Sequence, residues 1–307
     1  MKKAAYRALL AVVLGLGLVV TACGGSSGGG TTSKGTVSIG SQDFAENVTL
    51  GYIYGGALAD DGYTVDYKPN IGARSVLAPA LESGTITMYP GYSASELSFY
   101  SGNPSLATTN AQTNVNLLNP YLEKKGLKAL SVSNAADENA FAVTKATSQQ
   151  YNLTSLDQLQ PIAGKLILGG PVDCPGRKDC LGGLQTVYGA HFESFKPLDA
   201  DGPLTHTALE QNEIQVAVVF SSDAIIGQDH WVILKDPKHI SVADQVVPLI
   251  NPKKIDSSGQ AALNKVSAKL TTADLVQLNT EVSVNQESSQ QAAQTWLKHH
   301  GFSGKTS

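Results

Sequence analysis

The chain has 307 residues, of which 42% are hydrophobic, and its 22 basic and 26 acidic side chains give a formal net charge of −4. A chain of this length can bury two cores of ordinary domain size. An acidic sequence without basic clusters argues against a nucleic-acid partner and against a polybasic membrane-binding surface.

The first 22 residues have the composition of a secretory signal, with three basic side chains, a short apolar run and small residues before Cys23. The apolar run is too short to span a membrane as a stable helix. A cysteine directly after small residues is typical of a bacterial lipoprotein cleavage site, although an ordinary signal peptide that contains a cysteine is an alternative. The sequence therefore predicts a signal over 1–22, lipidation at Cys23, and a flexible tether over 23–35 that holds the exported protein at the outer face of the cytoplasmic membrane.

The next part of the chain predicts alternating strands and helices. A helix starts near Glu46, keeps its apolar residues on one face and stops at 60–62, and the alternating segment 63–67 follows as a strand. A second helix then precedes a strand over 85–89. Such βαβ units build a parallel sheet that binds ligands at the carboxyl ends of its strands, which here are residues 40–43 and 89–93.

A short internal repeat predicts two lobes. The sequence ALESGTI at 80–86 is echoed by ALEQNEI at 208–214, and an apolar strand follows each copy. We expect the chain to cross between lobes at two segments, so that closure around a ligand is the natural motion. The predicted α/β fold has a cleft between one lobe from 36–138 plus 247–307 and another from 139–246, with crossings at 140–144 and 246–250.

Two cysteines, Cys174 and Cys180, follow Cys23 in the chain. In an exported protein a close pair of this kind is typical of a disulfide bond. A zinc site is the rival interpretation, but these two cysteines have no histidine between them, and a redox role favours the C-x-x-C spacing. We therefore expect a structural disulfide, and the sequence predicts no metal site and no cofactor.

An enzyme is disfavoured by the absence of catalytic motifs. Outside the glycine- and serine-rich tether the sequence contains no G-x-S-x-G, and it contains no H-E-x-x-H and no phosphate-binding loop. The loops at the predicted strand ends carry hydrogen-bonding groups and aromatic rings, and neither has an obvious nucleophile beside a base. Hydrogen-bonding groups and aromatic rings without a nucleophile are typical of a binding site.

Five segments then carry a family resemblance: IGSQDFAEN at 39–47, GARSVLAPALESG at 72–84, MYPGYSAS at 88–95, CLGGLQTVYGAHF at 180–192 and VFSSDAIIGQDHWVILKDPKH at 219–239. In this order they resemble the substrate-binding lipoproteins of osmoprotectant ABC importers, which capture glycine betaine, choline, carnitine and proline betaine. The resemblance implies the type II periplasmic-binding-protein fold. It also implies that the chain itself carries out no covalent chemistry and binds no nucleotide.

The family holds the cationic headgroup of its solute in a cage of aromatic rings, since methyl groups on nitrogen offer no N–H donors. The resemblance places Tyr92, Phe141 and Phe220 at cage positions, two of them as phenylalanine where the family has tyrosine. A fourth ring has no counterpart in the segment 241–244. These departures put a tight cage for a trimethylammonium group in doubt.

Polar ligand partners are expected from the same matching and from the predicted strand ends. Several of them have a plainer alternative as helix caps. Arg74 stands at a helix start, where a cation is unfavourable, which indicates an acidic partner, either a ligand carboxylate or a neighbouring Asp; the alternative is that Arg74 is exposed at the surface. The expected polar ligand-binding residues are Gln42, Asp43, Asn47, Ser95, Asn139 and Asp223.

Together these features predict an extracytoplasmic substrate-binding lipoprotein that closes on a small solute and delivers it to an ABC permease. The solute would be an osmoprotectant such as glycine betaine, choline or carnitine, or a larger and more apolar compound that suits the reduced cage. The alternative is a lipoprotein with a similar cleft that binds a ligand or a partner protein for sensing rather than transport.

Overall fold

A computed structural model describes residues 33–172, 174–199, 201–228 and 231–306 of the chain. The predicted signal over 1–22 and the predicted lipidation at Cys23 lie outside the described residues. Within those residues, no helix combines the length and apolar character that crossing a bilayer requires.

In the part of the chain that the structure describes, ten strands form two sheets of five strands each. The first sheet has the order β2-β1-β3-β10-β4 and the second has the order β7-β6-β8-β5-β9. The strands are β1 Thr36–Gly40, β2 Thr64–Lys68, β3 Met88–Tyr92, β4 Lys128–Ala129, β5 Asn139–Val143, β6 Ile167–Pro171, β7 Ser194–Leu198, β8 Val216–Phe220, β9 Val232–Ile233 and β10 Val246–Ile250.

Helices alternate with these strands and close the chain. Those that follow β1 to β4 and those at the end of the chain pack on the first sheet, and those between β5 and β9 pack on the second. They are α1 Ala45–Asp60, α2 Arg74–Ser83, α3 Ser93–Ser101, α4 Ala111–Glu123, α5 Lys145–Tyr151, α6 Leu181–Tyr188, α7 Pro203–Glu210, α8 Ile225–Gln228, α9 Ser257–Lys269, α10 Thr272–Ser283 and α11 Ser289–His299.

The two-lobed α/β architecture predicted from the sequence is confirmed, and one strand is shifted. The expected strand over 85–89 lies three residues later, at Met88–Tyr92. Gly84 ends α2 in the left-handed region, with φ of +78°. Residues 85–87 then turn the chain back toward β1, where the N–H of Thr87 donates to the carbonyl of Ser38, and the strand begins only after this turn. This shift makes Tyr92 the last residue of β3, so it stands at the carboxyl end of its strand.

Both sheets are mixed rather than purely parallel. The predicted parallel pairing holds for β1 with β2 and β3, and for β6 with β7 and β8. However, β10 runs antiparallel to β3, and β5 runs antiparallel to β8. The segments 140–144 and 246–250, which were expected to cross between lobes, thus lie mostly or wholly within sheets. Just before them, Ala136 pairs with Gln245 in an antiparallel bridge.

Candidate functional site

A cleft of about 940 Å³ is lined by residues from both lobes. Its walls are formed at the carboxyl ends of β1, β3 and β8 and at the start of β5, as expected for a ligand site in an α/β protein. Five of the predicted site residues line this cleft, namely Gln42, Tyr92, Ser95, Asn139 and Phe220.

Four aromatic rings line the cleft. Tyr92 and Phe220 were expected there, whereas Phe44 and Phe99 were missed by the sequence analysis. The ring of Phe44 stacks near Tyr92, with centroids 6.2 Å apart. Phe44 and Phe99 are 39% and 42% exposed, so both present ring surface to a solute. Two rings that the sequence analysis did not assign thus replace part of the expected cage.

The prediction that Phe141 lines the cleft is corrected by the structure. Phe141 is only 1% exposed and packs in the core of the second lobe with Val143, Leu168 and Val218. It lies two residues inside β5, and the cleft is reached by Asn139 at the first position of that strand. The physical role of Phe141 is therefore core packing.

Tyr92 is held from behind by a buried carboxyl group. Its hydroxyl group donates a hydrogen bond to Glu46 Oε1 at 2.6 Å, and the amide of Asn279 donates to Glu46 Oε2 at 2.7 Å. Asn279 also donates to the backbone carbonyl of Ser222 at 2.9 Å, which joins the end of α10 to the second lobe. Because the Tyr92 hydroxyl is occupied in this way, the part of the side chain left for a solute is the ring.

The loop after β1 and the first turn of α1 contain three predicted site residues with different roles. The Asn47 side chain is fully buried, accepts the backbone N–H of Gln42 at 2.8 Å and donates to the carbonyl of Pro90 at 2.9 Å. Asn47 therefore fastens this loop to β3 and does not line the cleft. Asp43 is exposed and does not line the cleft either. Of the three, only Gln42 faces the solute space.

Ser95 contacts Asp244, in the segment where the fourth ring is missing. Its hydroxyl group donates to Asp244 Oδ2 at 2.6 Å, and the same carboxyl accepts the backbone N–H groups of Ala94 and Ser95 at the start of α3. Burial raises the pKa of Asp244 in spite of these bonds. The wall at this position is formed by Asp244 and by aliphatic Val242.

Arg74 has the acidic partner that its helix position indicated. Its Nε donates to Glu96 Oε1 at 2.7 Å, and the Glu96 side chain is fully buried. The hydroxyl group of Tyr89 donates to the other carboxyl oxygen at 2.8 Å. Arg74 therefore satisfies a protein carboxyl at the edge of the cleft.

The predicted disulfide between Cys174 and Cys180 is present, and the loop that it closes is part of the cleft. Arg177 donates two hydrogen bonds to Asp179 within the loop, at 3.0 and 2.7 Å. The amide of Asn139 donates to the same carboxyl at 2.7 Å. The loop thus presents charged groups of both signs to the solute space.

Asp223 lies outside the cleft wall, in an acidic cluster with His206. His206 Nε2 lies 3.0 Å from Asp201 Oδ1 and 3.1 Å from Asp223 Oδ2. Asp223 also caps α8 by accepting the N–H of Ile225 at 2.9 Å, and Asp201 accepts the N–H of Phe220 at 2.6 Å. Asp223 therefore caps α8 and pairs with His206 in place of the expected ligand role, while Asp201 supports the segment that carries Phe220.

This cluster has the composition of a metal site, but the positive charge that its carboxyl groups require is supplied by its own histidine. One ligand atom from each of its three residues lies within 4.8 Å of the others. Burial alone would lower the pKa of His206, but its bonds to Asp201 and Asp223 raise it to about 10. The protonated imidazole thus already supplies the positive charge between the two carboxyl groups.

The cleft combines ring faces with carboxyl groups of Asp137, Glu138, Asp179 and Asp244. Ring faces and carboxylates both attract a cation, and together they define a binding surface rather than a reaction centre. Two α/β lobes around such a cleft are the architecture of a substrate-binding protein.

The chain belongs to the OpuAC family, described as the substrate binding domain of ABC-type glycine betaine transport systems, whose model matches residues 35–299. It is therefore a substrate-binding protein and not an enzyme.

Known relatives agree with this assignment. The chain is 24% identical over 291 residues to the glycine-betaine-binding protein of Pseudomonas aeruginosa, which covers 91% of this chain and 92% of that protein. It is 23% identical over 318 residues to the carnitine transport binding protein OpuCC of Listeria monocytogenes, covering 99% and 100% of the two chains. A crystal structure described as a glycine betaine/carnitine/choline ABC transporter aligns with a TM-score of 0.78 at 21% identity, covering 86% of this chain and 98% of that one.

Proposed function

We propose that the chain captures a small organic cation or zwitterion by closing its lobes, and delivers it to an ABC permease. The observation that carries this proposal is the set of rings from both lobes, Phe44, Tyr92 and Phe99 from one and Phe220 from the other, around one cleft. Each ring face adds about 0.5–2 kcal/mol of attraction to a cation, depending on how far water is excluded. A ligand that touches both lobes favours the closed form, because only that form makes all of its contacts.

The preferred solute is larger or more apolar than glycine betaine. A volume of about 940 Å³ is near the upper end for small-molecule sites. Phe220 also lacks the tyrosine hydroxyl group that the family pattern has at its position, and aliphatic Ile240 and Val242 line the cleft beside the rings. These features favour a solute with apolar surface in addition to its charge.

Calorimetry with a panel of quaternary amines tests this proposal. Choline, carnitine, glycine betaine and bulkier aromatic amines are titrated into the protein, and lobe closure is followed by the radius of gyration in X-ray scattering. We expect at least one cation to bind and to shrink the molecule, with bulkier compounds binding more tightly than glycine betaine. Phe44→Ala should weaken that binding, whereas Leu117→Ala, with the same 39% exposure but outside the cleft, should not. Failure of every cation and every zwitterion in the panel to bind would refute the proposal.

Membrane attachment through Cys23 forms part of the proposal. An acylated Cys23 would be the attachment point after signal cleavage, and two or more acyl chains give stable anchoring. The variant Cys23→Ala should appear in the medium or persist as an uncleaved precursor. Fractionation of cells that express each form checks this, and retention of the variant in the membrane fraction at the wild-type level would contradict the lipoprotein assignment.

A further inference from the structure

Two carboxyl groups behind the cleft, those of Glu46 and Asp137, are hydrogen-bonded by uncharged groups. Ser222 Oγ donates a hydrogen bond to Asp137 Oδ1 at 2.9 Å. The amide of Asn279 donates both to Glu46 Oε2 at 2.7 Å and to the backbone carbonyl of Ser222 at 2.9 Å, so the two carboxyl groups are connected through Asn279 and Ser222. Because neither carboxyl group is hydrogen-bonded by a cation from the described part of the chain, the arrangement is best satisfied when one of the two is protonated.

The groups that donate hydrogen bonds to the Glu46 carboxyl are both uncharged, namely Tyr92 and Asn279. Asp137 accepts a hydrogen bond from the hydroxyl group of Ser222, and the negative charges of Glu46, Asp244 and Asp201 act on it. An unpaired charge in a buried site is costly, and neighbouring carboxylates raise that cost further. Burial raises the pKa of Glu46, and burial together with the Glu46 charge raises the pKa of Asp137 well above its usual range.

The pair is in reach of a bound solute. Asp137 lines the cleft directly, and Glu46 is connected to it through the hydroxyl group of Tyr92, which also lines the cleft. An opposite charge within a few ångströms of a carboxyl group typically lowers its pKa by about 1–3 units. A solute cation against Tyr92 and Asp137 therefore favours the ionised form of the pair.

We propose that Glu46 and Asp137 are specificity-determining residues, which select a net cation over a zwitterion by releasing a proton to solvent when the cation enters the cleft. The charge balances because one positive charge, on the solute, replaces another, on the carboxyl O–H. A zwitterion brings its own carboxylate and compensates the pair less. This inference rests on the proposed function, since it requires that a cation binds.

The test is calorimetric titration of choline into the wild-type protein at pH 7 in phosphate and in Tris, two buffers with very different ionisation enthalpies. We expect the measured enthalpy to change between buffers by an amount that corresponds to the release of up to one proton. Choline affinity should also rise with pH, by up to tenfold per unit, across the range in which the pair titrates. Glycine betaine should release fewer protons than choline.

Two variants distinguish the effect of the Glu46–Asp137 pair from that of other carboxyl groups in the protein. Glu46→Gln replaces the ionisable group by an uncharged one of the same shape, so proton release and the rise of affinity with pH should both diminish. Glu123→Gln makes the same change at an exposed position on α4 and should behave as wild type. If Glu46→Gln does not fold, the wild-type buffer series decides alone.

The possible outcomes are distinct. Choline binding with the same enthalpy in both buffers and a flat pH profile would overturn this inference and leave the proposed function standing. Binding of glycine betaine without binding of choline or any other cation would likewise overturn this inference alone, whereas failure of every cation and zwitterion to bind would overturn the proposed function itself.

Discussion

The amide of Asn139 donates a hydrogen bond at 2.7 Å to Asp179, which lies 40 residues further along the chain. This bond connects the first residue of β5 to the loop closed by Cys174 and Cys180. It makes the disulfide a determinant of the cleft wall as well as a covalent restraint.

Removing the disulfide should therefore affect binding as well as stability. The double variant Cys174→Ser/Cys180→Ser should lose about 2 kcal/mol of unfolding free energy, from the entropy of so short a loop. It should also bind the solute more weakly, because Arg177 and Asp179 are then less firmly placed. Denaturant unfolding and calorimetry measure the two effects, and Asn139→Ala should weaken binding while the disulfide stays intact. Binding that is unchanged in the double variant would show that the loop does not contribute to the site.

Phe44 and Phe141 should respond to truncation in opposite ways. Phe141→Ala opens a cavity in the second core and should cost about 3–5 kcal/mol of unfolding free energy. Phe44→Ala removes an exposed ring from the cleft, so it should leave the unfolding free energy within about 0.5 kcal/mol and weaken solute binding. Thermal unfolding and solute titration of both variants check this. Loss of binding in a folded Phe141→Ala protein, with Phe44→Ala unaffected, would reverse the assignment made above.

The Tyr92 hydroxyl group should matter for stability and the Tyr92 ring for binding. Tyr92→Phe leaves the buried Glu46 carboxyl without one donor, which should cost about 1–3 kcal/mol of unfolding free energy. Tyr92→Ala also removes the ring and should weaken solute binding by at least about 0.5 kcal/mol. The control is Tyr54→Phe, which deletes a buried hydroxyl bonded to neutral Ser267 at 3.0 Å and should leave binding unchanged. Equal binding by Tyr92→Ala and wild type would remove Tyr92 from the cage.

His206 should make stability depend on pH in the alkaline range. Its pKa is raised to about 10 in the folded protein by Asp201 and Asp223, compared with about 6.5 when the chain is unfolded. The stabilisation is therefore complete below about pH 6.5 and is lost as the pH rises through about 10. The difference in Tm between wild type and His206→Gln should shrink from pH 6 to pH 10, whereas exposed His191→Gln should follow wild type throughout. A constant difference would indicate that His206 is not charged in the folded state.

Local patterns predicted the elements of the fold well, because the patterns are themselves local. The helix expected near Glu46 begins at Ala45, and the apolar segment after 214 forms β8 as expected. The strand expected over 85–89 was misplaced, since Ile86 is apolar and buried without being part of the sheet. The spacing of apolar residues in the sequence indicates which side chains are buried, and it indicates only indirectly which residues pair in a sheet.

The candidate site was less predictable, because which side chain reaches a cleft depends on contacts between distant segments. Phe141 occupies a family cage position, yet it turns into the core two residues beyond Asn139. Phe44 stands in a loop, where no periodicity marks it, although it lies within the segment 39–47 that carries the resemblance. The contact between Asn139 and Asp179 depends on a disulfide loop whose position relative to β5 no short-range signal encodes.

The position of β10 has a consequence for the order of folding. This strand, Val246–Ile250, lies between β3 and β4 in the first sheet, although the whole second lobe precedes it in the chain. The first sheet consequently cannot be completed until residue 250 is available, and pairing over so long a separation is slow. The second lobe, built from one continuous stretch of chain, can close its sheet earlier. The lobe whose residues lead the chain is thus the last to be finished.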